Sequence, residues 1–201
     1  MYIVIVLIFL TVIGIVIYFK KSNGNNSILG ISLPGGQSKK APRLLSTSSK
    51  AIKFIKSHEG FRAKAYDDAN PHRDIVLTNQ VEGYLTIGYG HTKNVQVGQV
   101  ISEAEAERLL AQDLREFERI VQNKVNVDLT QNQFDALVSH AFNTGGSDTL
   151  FKLVNGAERI NFKGIMYDLG KWWTEKYTTS KGVPMNGLVR RRREEFELYN
   201  A

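Results

Sequence analysis

Glu59, Asp68 and Thr86 have the residue types and local surroundings that paired acid–base chemistry needs. Glu59 stands at the exit of the segment AIKFIKSHEGF, in which Ile52, Phe54 and Ile55 supply an apolar side and Gly60 marks a helix end. Asp68 follows nine residues later in a polar stretch, and Thr86 lies in a short run bounded by Gly83, Gly88 and Gly90. A carboxyl at a helix end beside aromatic residues has its pKa raised by desolvation, whereas one in a polar turn stays ionised. That divergence is what separates an acid from a base in a catalytic pair. Spacing alone does not distinguish such a pair from two solvated surface carboxylates, because any helix end or turn can carry acids.

The elements that must position these groups can be read from periodicity. Ser48 or Ser49 caps the helix that ends near Gly60, and EGYLTIGYG alternates as a strand. From Ser102 the pattern is helical, with Ser102 and Glu105 spaced as a capping box and Leu109, Leu110, Leu114, Phe117, Ile120 and Val121 at helical intervals. A second helix runs from Gln131 to His140 with Phe134, Leu137, Val138 and Ala141 inward, and a turn follows at 143–147. Further helices are expected over Leu150–Asn155, Phe162–Lys171 and Val189–Tyr199. A small strand-bearing lobe followed by a mostly helical lobe is an α+β layout. The pair Trp172 and Trp173 is expected in the core.

The chain of 201 residues contains no cysteine, which removes disulfides, thiol nucleophiles and cysteine metal sites. Its formal charge of +6 is unevenly placed. Residues 1–50 hold six basic groups and no acidic one, while residues 51–201 hold twenty of each. The body therefore lacks a net positive field, which argues against nucleic acid as a partner.

Residues 1–19, MYIVIVLIFLTVIGIVIYF, carry no charge. At the helical rise they span roughly 28 Å, close to the hydrocarbon thickness of a bilayer. No Lys or Arg precedes the run, it exceeds a signal-peptide core, and it ends at Lys20-Lys21 without a small-residue cleavage pattern. It reads as a single transmembrane helix and retained anchor. Residues 20–48, rich in Gly, Ser, Asn, Pro and Lys, read as a flexible basic linker. Its Lys pairs suit contact with anionic headgroups at about 1 kcal/mol each. The positive charge after the segment favours a body on the cytoplasmic side.

Four longer motifs sharpen the reading: HEGFRAKAYDD, EGYLTIGYGHT, DALVSHAFNTGG and GLVRRRREEFELY. In this order they resemble the phage-type lysozymes of glycoside hydrolase family 24, over residues 48–200. The resemblance implies a two-lobed lysozyme-like fold around a cleft for peptidoglycan glycan strands, and a catalytic domain over 49–201. It implies hydrolysis of the β-1,4 bond between N-acetylmuramic acid and N-acetylglucosamine, with no metal or organic cofactor. Glu59 matches the family's catalytic acid, Asp68 its second carboxylate and Thr86 its catalytic threonine. Glu59 would protonate the leaving oxygen, while Asp68 and Thr86 activate water on the opposite face of the sugar, an inverting route. Phe142 and Asn143 match the segment that lines the cleft. A basic residue among Arg190–Arg193 would pair with the catalytic glutamate, without the sequence choosing which. His91 matches a family histidine and is expected in a structural hydrogen bond or ion pair. His58 is expected to be exposed.

The chain departs from the family pattern between Asp68 and Thr86, which are 18 residues apart here because of an extra stretch near Asn70–Val81. Asp67 and Asp74 are neighbouring carboxylates, and Tyr66-x-Asp68 fits the family spacing best. The N-terminal segment, with six Ile, four Val and a single Gly, is more hydrophobic than the releasable anchors some endolysins carry. A monomeric catalytic body tethered to the host inner membrane, or to an internal membrane of a virion, follows. Two other functions fit the same fold: a lytic transglycosylase, which ends its cut in an anhydro ring, and a non-catalytic wall-binding or structural virion protein.

Overall fold

A computed structural model describes residues 37–73, 75 and 81–201. The expected anchor and most of the expected linker lie outside the described residues. Among the described residues no helix is long and apolar enough to cross a membrane.

The first helix, α1 (Ser49–Glu59), starts where Ser48 takes the N–H of Ala51 on its side chain. It stops at Gly60, whose φ of 71° is costly for any residue with a Cβ. Strands β1 (Arg62–Asp67) and β2 (Leu85–Gly88) pair antiparallel, with Tyr66 opposite Thr86 and a bulge between Arg62 and Tyr66. Helix α2 (Glu103–Lys124) then leads to α3 (Gln131–Thr144), α4 (Asp148–Val154), α5 (Leu169–Glu175) and α6 (Asn186–Asn200). The α+β expectation holds, with one strand pair in the small lobe.

Helix α3 is the centre of the core. Phe134, Ala136, Leu137, Val138 and Ala141 are all fully buried, packed between α2 and α6. The expected inward set of this helix is thus found, and Trp172 and Trp173 are buried beside it. A reciprocal capping box stands at Thr130 and Gln133. At Ser102 only half of one forms: Ser102 accepts the Glu105 N–H, while the Glu105 carboxylate turns to Arg108.

Two expectations change. The helix expected over Phe162–Lys171 is instead a hairpin, β3 (Ile160–Phe162) with β4 (Ile165–Tyr167), followed by α5. A second hairpin joins β5 (Thr179–Ser180) to β6 (Val183–Pro184). Both turns are Lys-Gly pairs with positive φ at each residue, 51° and 82° in one and 47° and 80° in the other. That is the two-residue turn whose twist matches a hairpin. The other change is that residues 37–48, expected as part of a free linker, dock on the body. Lys40 and Leu129 exchange backbone hydrogen bonds, Pro42 and Leu45 are buried, and the buried Asp135 carboxylate accepts both the N–H and the hydroxyl of Ser48. The compact unit therefore begins at Gln37.

The core also holds an ionisable group. His140 is buried on α3, edge-on to Trp173 and Tyr177. Burial holds its pKa well below 6.5, and Arg192 and Arg191 add to the depression. A neutral folded histidine refuses a proton that the unfolded chain accepts. Stability is therefore expected to fall as pH drops below 6.5, by up to about 1.4 kcal/mol per unit until the folded group titrates. His140→Phe should flatten the melting temperature between pH 6.5 and 5. An unchanged slope would remove His140 from the explanation.

Candidate active site

Glu59 is delivered to the surface by the C-terminal end of α1. Arg191 Nη1 on α6 donates to its Oε1 at 2.5 Å. Arg191 is nearly buried, while the Glu59 side chain remains 22% exposed. One carboxylate oxygen is thus held from inside. The other, Oε2, lies on the side of Gly90, where an added Cβ would come within 4.0 Å of it. Among the four consecutive arginines the structure selects Arg191 as the partner. Arg190 lies 3.8 Å from Glu194, and Arg192 turns inward to Glu195.

The support behind Arg191 is ionic and buried. Glu195 Oε1 accepts from Arg191 Nε at 3.1 Å, Arg192 Nη2 at 2.9 Å and Ser139 Oγ at 2.8 Å. Burial pushes the Glu195 carboxyl up, and the two guanidiniums oppose that rise. The expectation that His58 is exposed is corrected. Its side chain is only 5% exposed and its Nε2 lies 3.0 Å from Glu194 Oε2. Burial and then Arg191 lower its pKa, against Glu194. The residue falls on the face of α1 turned toward α6, which spacing from Glu59 alone does not reveal.

Asp67 and Asp68, adjacent in sequence, have separate surroundings. The Asp67 side chain is inaccessible to solvent and accepts backbone N–H groups from Glu82 (2.9 Å), Gly83 (2.9 Å) and Ala69 (3.1 Å), with Arg73 at 3.3 Å. These bonds hold its pKa below the usual carboxylate value, the Glu82 N–H most strongly. Asp67 thereby ties together the two ends of the insertion. Asp68 is exposed and exchanges hydrogen bonds with the backbone of Tyr84, accepting its N–H at 2.7 Å. Thr86 Oγ1 donates to the same residue's carbonyl at 3.2 Å. The 18-residue separation therefore loops out, and Asp68 and Thr86 both reach the Tyr84 backbone. Gly83 permits this, since a Cβ there would lie 2.0 Å from Asp68 Oδ1.

This difference gives a paired prediction. Asp67→Asn is expected to lower the melting temperature, and more so above pH 4 than below it. A depressed folded pKa contributes stability above the ordinary value of 3.8 that is lost as pH falls through the folded pKa. Asp68→Asn is expected to leave melting nearly unchanged and to reduce activity. The reverse pattern would exchange their roles.

Beside Glu59 lies a cavity of about 260 Å³, whose lining includes Gly90, Phe117, Phe142 and Asn143. Phe142 meets Phe117 edge-on at 5.3 Å, and Asn143 is exposed. Lys93, Asp113 and Glu116 form a charged rim. Asp113 also accepts from His91 Nδ1 at 2.7 Å, while His91 Nε2 faces the Lys93 carbonyl at 2.8 Å. His91 is thus engaged on both ring nitrogens in structural contacts. Asp68 and Thr86 do not line this cavity. Tyr66 sits opposite Thr86 in register. Burial raises the pKa of the Tyr66 phenol; Arg62 opposes the rise, and the charges of Asp68 and Glu59 add to it. Asp113, Glu116 and Phe117 were not identifiable from sequence, because the packing of α2 against the small lobe brings them to the cavity beside Glu59.

The phage lysozyme family model matches residues 56–195. The chain belongs to the phage lysozyme family. It is 42% identical over 160 residues to the endolysin of Bacillus phage B103, covering 77% of this chain and 54% of that protein. It is 34% identical to the endolysin of Acyrthosiphon pisum secondary endosymbiont phage 1, covering 77% of this chain and 97% of the relative. Among solved structures, a variant of P22 lysozyme superposes with a TM-score of 0.60 at 29% identity, covering 78% of this chain and 99% of that one. The chain thus spans about half of the B103 endolysin and nearly all of the other two. The lysozyme-like α+β fold of the family is present here, with Arg191 as the α6 residue on Glu59.

Proposed function

We propose that the chain is a peptidoglycan-degrading muramidase acting in phage-mediated degradation of the host wall. It hydrolyses the β-1,4 bond between N-acetylmuramic acid and N-acetylglucosamine. The observation that carries this reading is Glu59, fixed through one oxygen by Arg191 and open through the other to a cavity with an aromatic wall. Glu59 donates a proton to the leaving glycosidic oxygen. Asp68 and Thr86 hold and activate a water on the opposite face. Phe142 stacks on a sugar and Asn143 hydrogen-bonds to its substituents.

Water attacking from the face opposite the leaving group inverts the anomeric centre. Proton NMR of a soluble glycan fragment during early turnover should show the α-anomer of the new reducing end first. Initial β-anomer would replace the water-activating role of Asp68 with a nucleophilic one. We further propose that residues 1–19 hold the chain in a membrane, the host inner membrane or an internal virion membrane. The uncharged run and the basic residues after it support this reading. Extraction of the full chain from membranes by alkaline carbonate would count against it.

A further inference from the structure

The β3–β4 hairpin ends in an apolar tip surrounded by lysines. Ile165 and Met166, just after the Lys163-Gly164 turn, are 48% and 49% exposed. Register and alternation put Ile160, Phe162, Ile165 and Tyr167 on one face of the hairpin. That face meets Trp172, through Phe162 at 5.2 Å and Tyr167 at 5.3 Å. Met166 stands on the other face, opposite Asn161. The tip thus presents an open aliphatic side chain on each face.

Three ammonium groups are held around it by aromatic rings. Lys176 Nζ stands over Tyr167 at 4.2 Å and over Phe162 at 5.0 Å, Lys171 over Tyr167 at 5.1 Å, and Lys163 over Phe162 at 5.6 Å. Among the described residues none of the three pairs with a carboxylate. Residues 160–185 carry four lysines against Asp168 and Glu175, a local positive surface on a neutral body. Asp168 is engaged in capping α5, where it accepts the Lys171 N–H. The fourth lysine, Lys181, opens the β5–β6 turn and is followed by Gly182 and the exposed Val183, the same order as in the first hairpin.

This chemistry selects the partner. Phe162 and Tyr167 already carry ammonium groups, so they offer no free face on which a sugar or a base could stack. A protein docked on one face of the hairpin would leave either Ile165 or Met166 in water, and a second copy of this chain would bring its own lysines against these. A bilayer covers both faces of a tip that enters it, takes aliphatic side chains among its acyl chains and, where its headgroups are anionic, complements the lysines.

We propose that the β3–β4 tip docks the body on an anionic lipid bilayer. Ile165 and Met166 enter the boundary between headgroups and acyl chains, and Lys163, Lys171 and Lys176 meet the headgroups. This contact is separate from the cleft and from residues 1–19, and it rests on neither the muramidase reading nor the anchor reading.

The chain has no cysteine, so a single fluorophore can be placed at will. The full-length chain would carry a polarity-sensitive probe through Ile165→Cys or Met166→Cys, with Gln112→Cys on the exposed side of α2 as control. Each would be mixed with vesicles of phosphatidylcholine, or of phosphatidylcholine with phosphatidylglycerol, bearing spin-labelled acyl chains. Both hairpin probes are expected to shift to the blue and be quenched on the anionic vesicles only, and the α2 probe on neither. Raised salt should release them. Adding Lys163→Gln and Lys171→Gln, at two exposed side chains, should lower the ratio of quenched to free probe about thirtyfold, at roughly fivefold per lysine. No quenching at the hairpin, equal quenching on both vesicle types, quenching at only one of the two hairpin positions, or equal quenching of the α2 probe would each overturn the proposal. So would quenching that survives both the substitutions and the salt.

Discussion

Glu59→Gln is expected to lower the rate of glycan cleavage by about 10²- to 10⁴-fold, the range supplied by a positioned general acid. The amide keeps the shape of the carboxyl, and its oxygen can still accept from Arg191 Nη1. It cannot deliver a proton to a leaving alkoxide. Melting is expected to stay close to that of the native chain, because Glu59 is partly exposed and its replacement fills the same space. A loss of activity accompanied by unfolding would say that the substitution acted on the fold. A variant retaining more than a tenth of native activity would remove Glu59 from the acid role.

The second large effect concerns what lies behind Glu59. Arg191→Leu removes a nearly buried guanidinium from between Glu59 and the fully buried Glu195. Glu195 keeps Arg192 and Ser139 but loses one charge-assisted bond, and the partly exposed Glu59 loses another, so the expected cost is about 1.5–3 kcal/mol in chemical denaturation. Activity should fall with it even at temperatures where the variant is folded, because Glu59 loses the contact that fixes its Oε1. Arg191→Lys is expected to recover part of the stability and little of the activity, since an ammonium cannot serve Glu59 and Glu195 along two directions as the planar guanidinium does. If Arg191→Lys restored full activity, point charge alone would account for the role of this position.

These two residues show what the sequence made legible. Glu59 was marked by an amphipathic segment and a terminal glycine only together with a motif order, along the whole body, that matched a family. The α3 core was legible because Phe134, Leu137, Val138 and Ala141 recur at helical intervals, although the helix also buries the polar Asn132, Asp135, Ser139 and His140. Arg191 could not be separated from Arg190, Arg192 and Arg193 by type. Which arginine faces inward depends on the rotation of α6 about its own axis, and that is set by packing of Leu198 and Phe196 against the core. The hairpin over residues 160–167 was missed because INFKGIMY has apolar residues at spacings that fit a short helix as well. Its Lys-Gly turn was the overlooked signal. The docking of residues 37–48 was hidden by their composition. Most of their hydrogen-bonding partners, such as Leu129, Asp135, Glu118 and Gln131, lie more than 70 residues away.

The insertion is the most instructive departure. An extra stretch near Asn70–Val81 sets Asp68 and Thr86 18 residues apart. The fold accommodates it by closing the loop at its base. Asp67 gathers N–H groups from both ends, and Asp68 takes the N–H of Tyr84. The length between these anchor points then has little effect on the strand register, consistent with the slow growth of loop-closure cost with length. Two adjacent aspartates thus divide the work: one holds the loop and the other faces solvent.

The most direct measurement is digestion of purified peptidoglycan by the full-length chain, beside Glu59→Gln, with the products resolved by mass. The account predicts muropeptides with hydrated reducing ends from the native chain and essentially none from the variant. Products lighter by one water, carrying anhydro ends, would make the enzyme a transglycosylase and leave Asp68 without its proposed water. Equal digestion by both chains would contradict the assignment of Glu59.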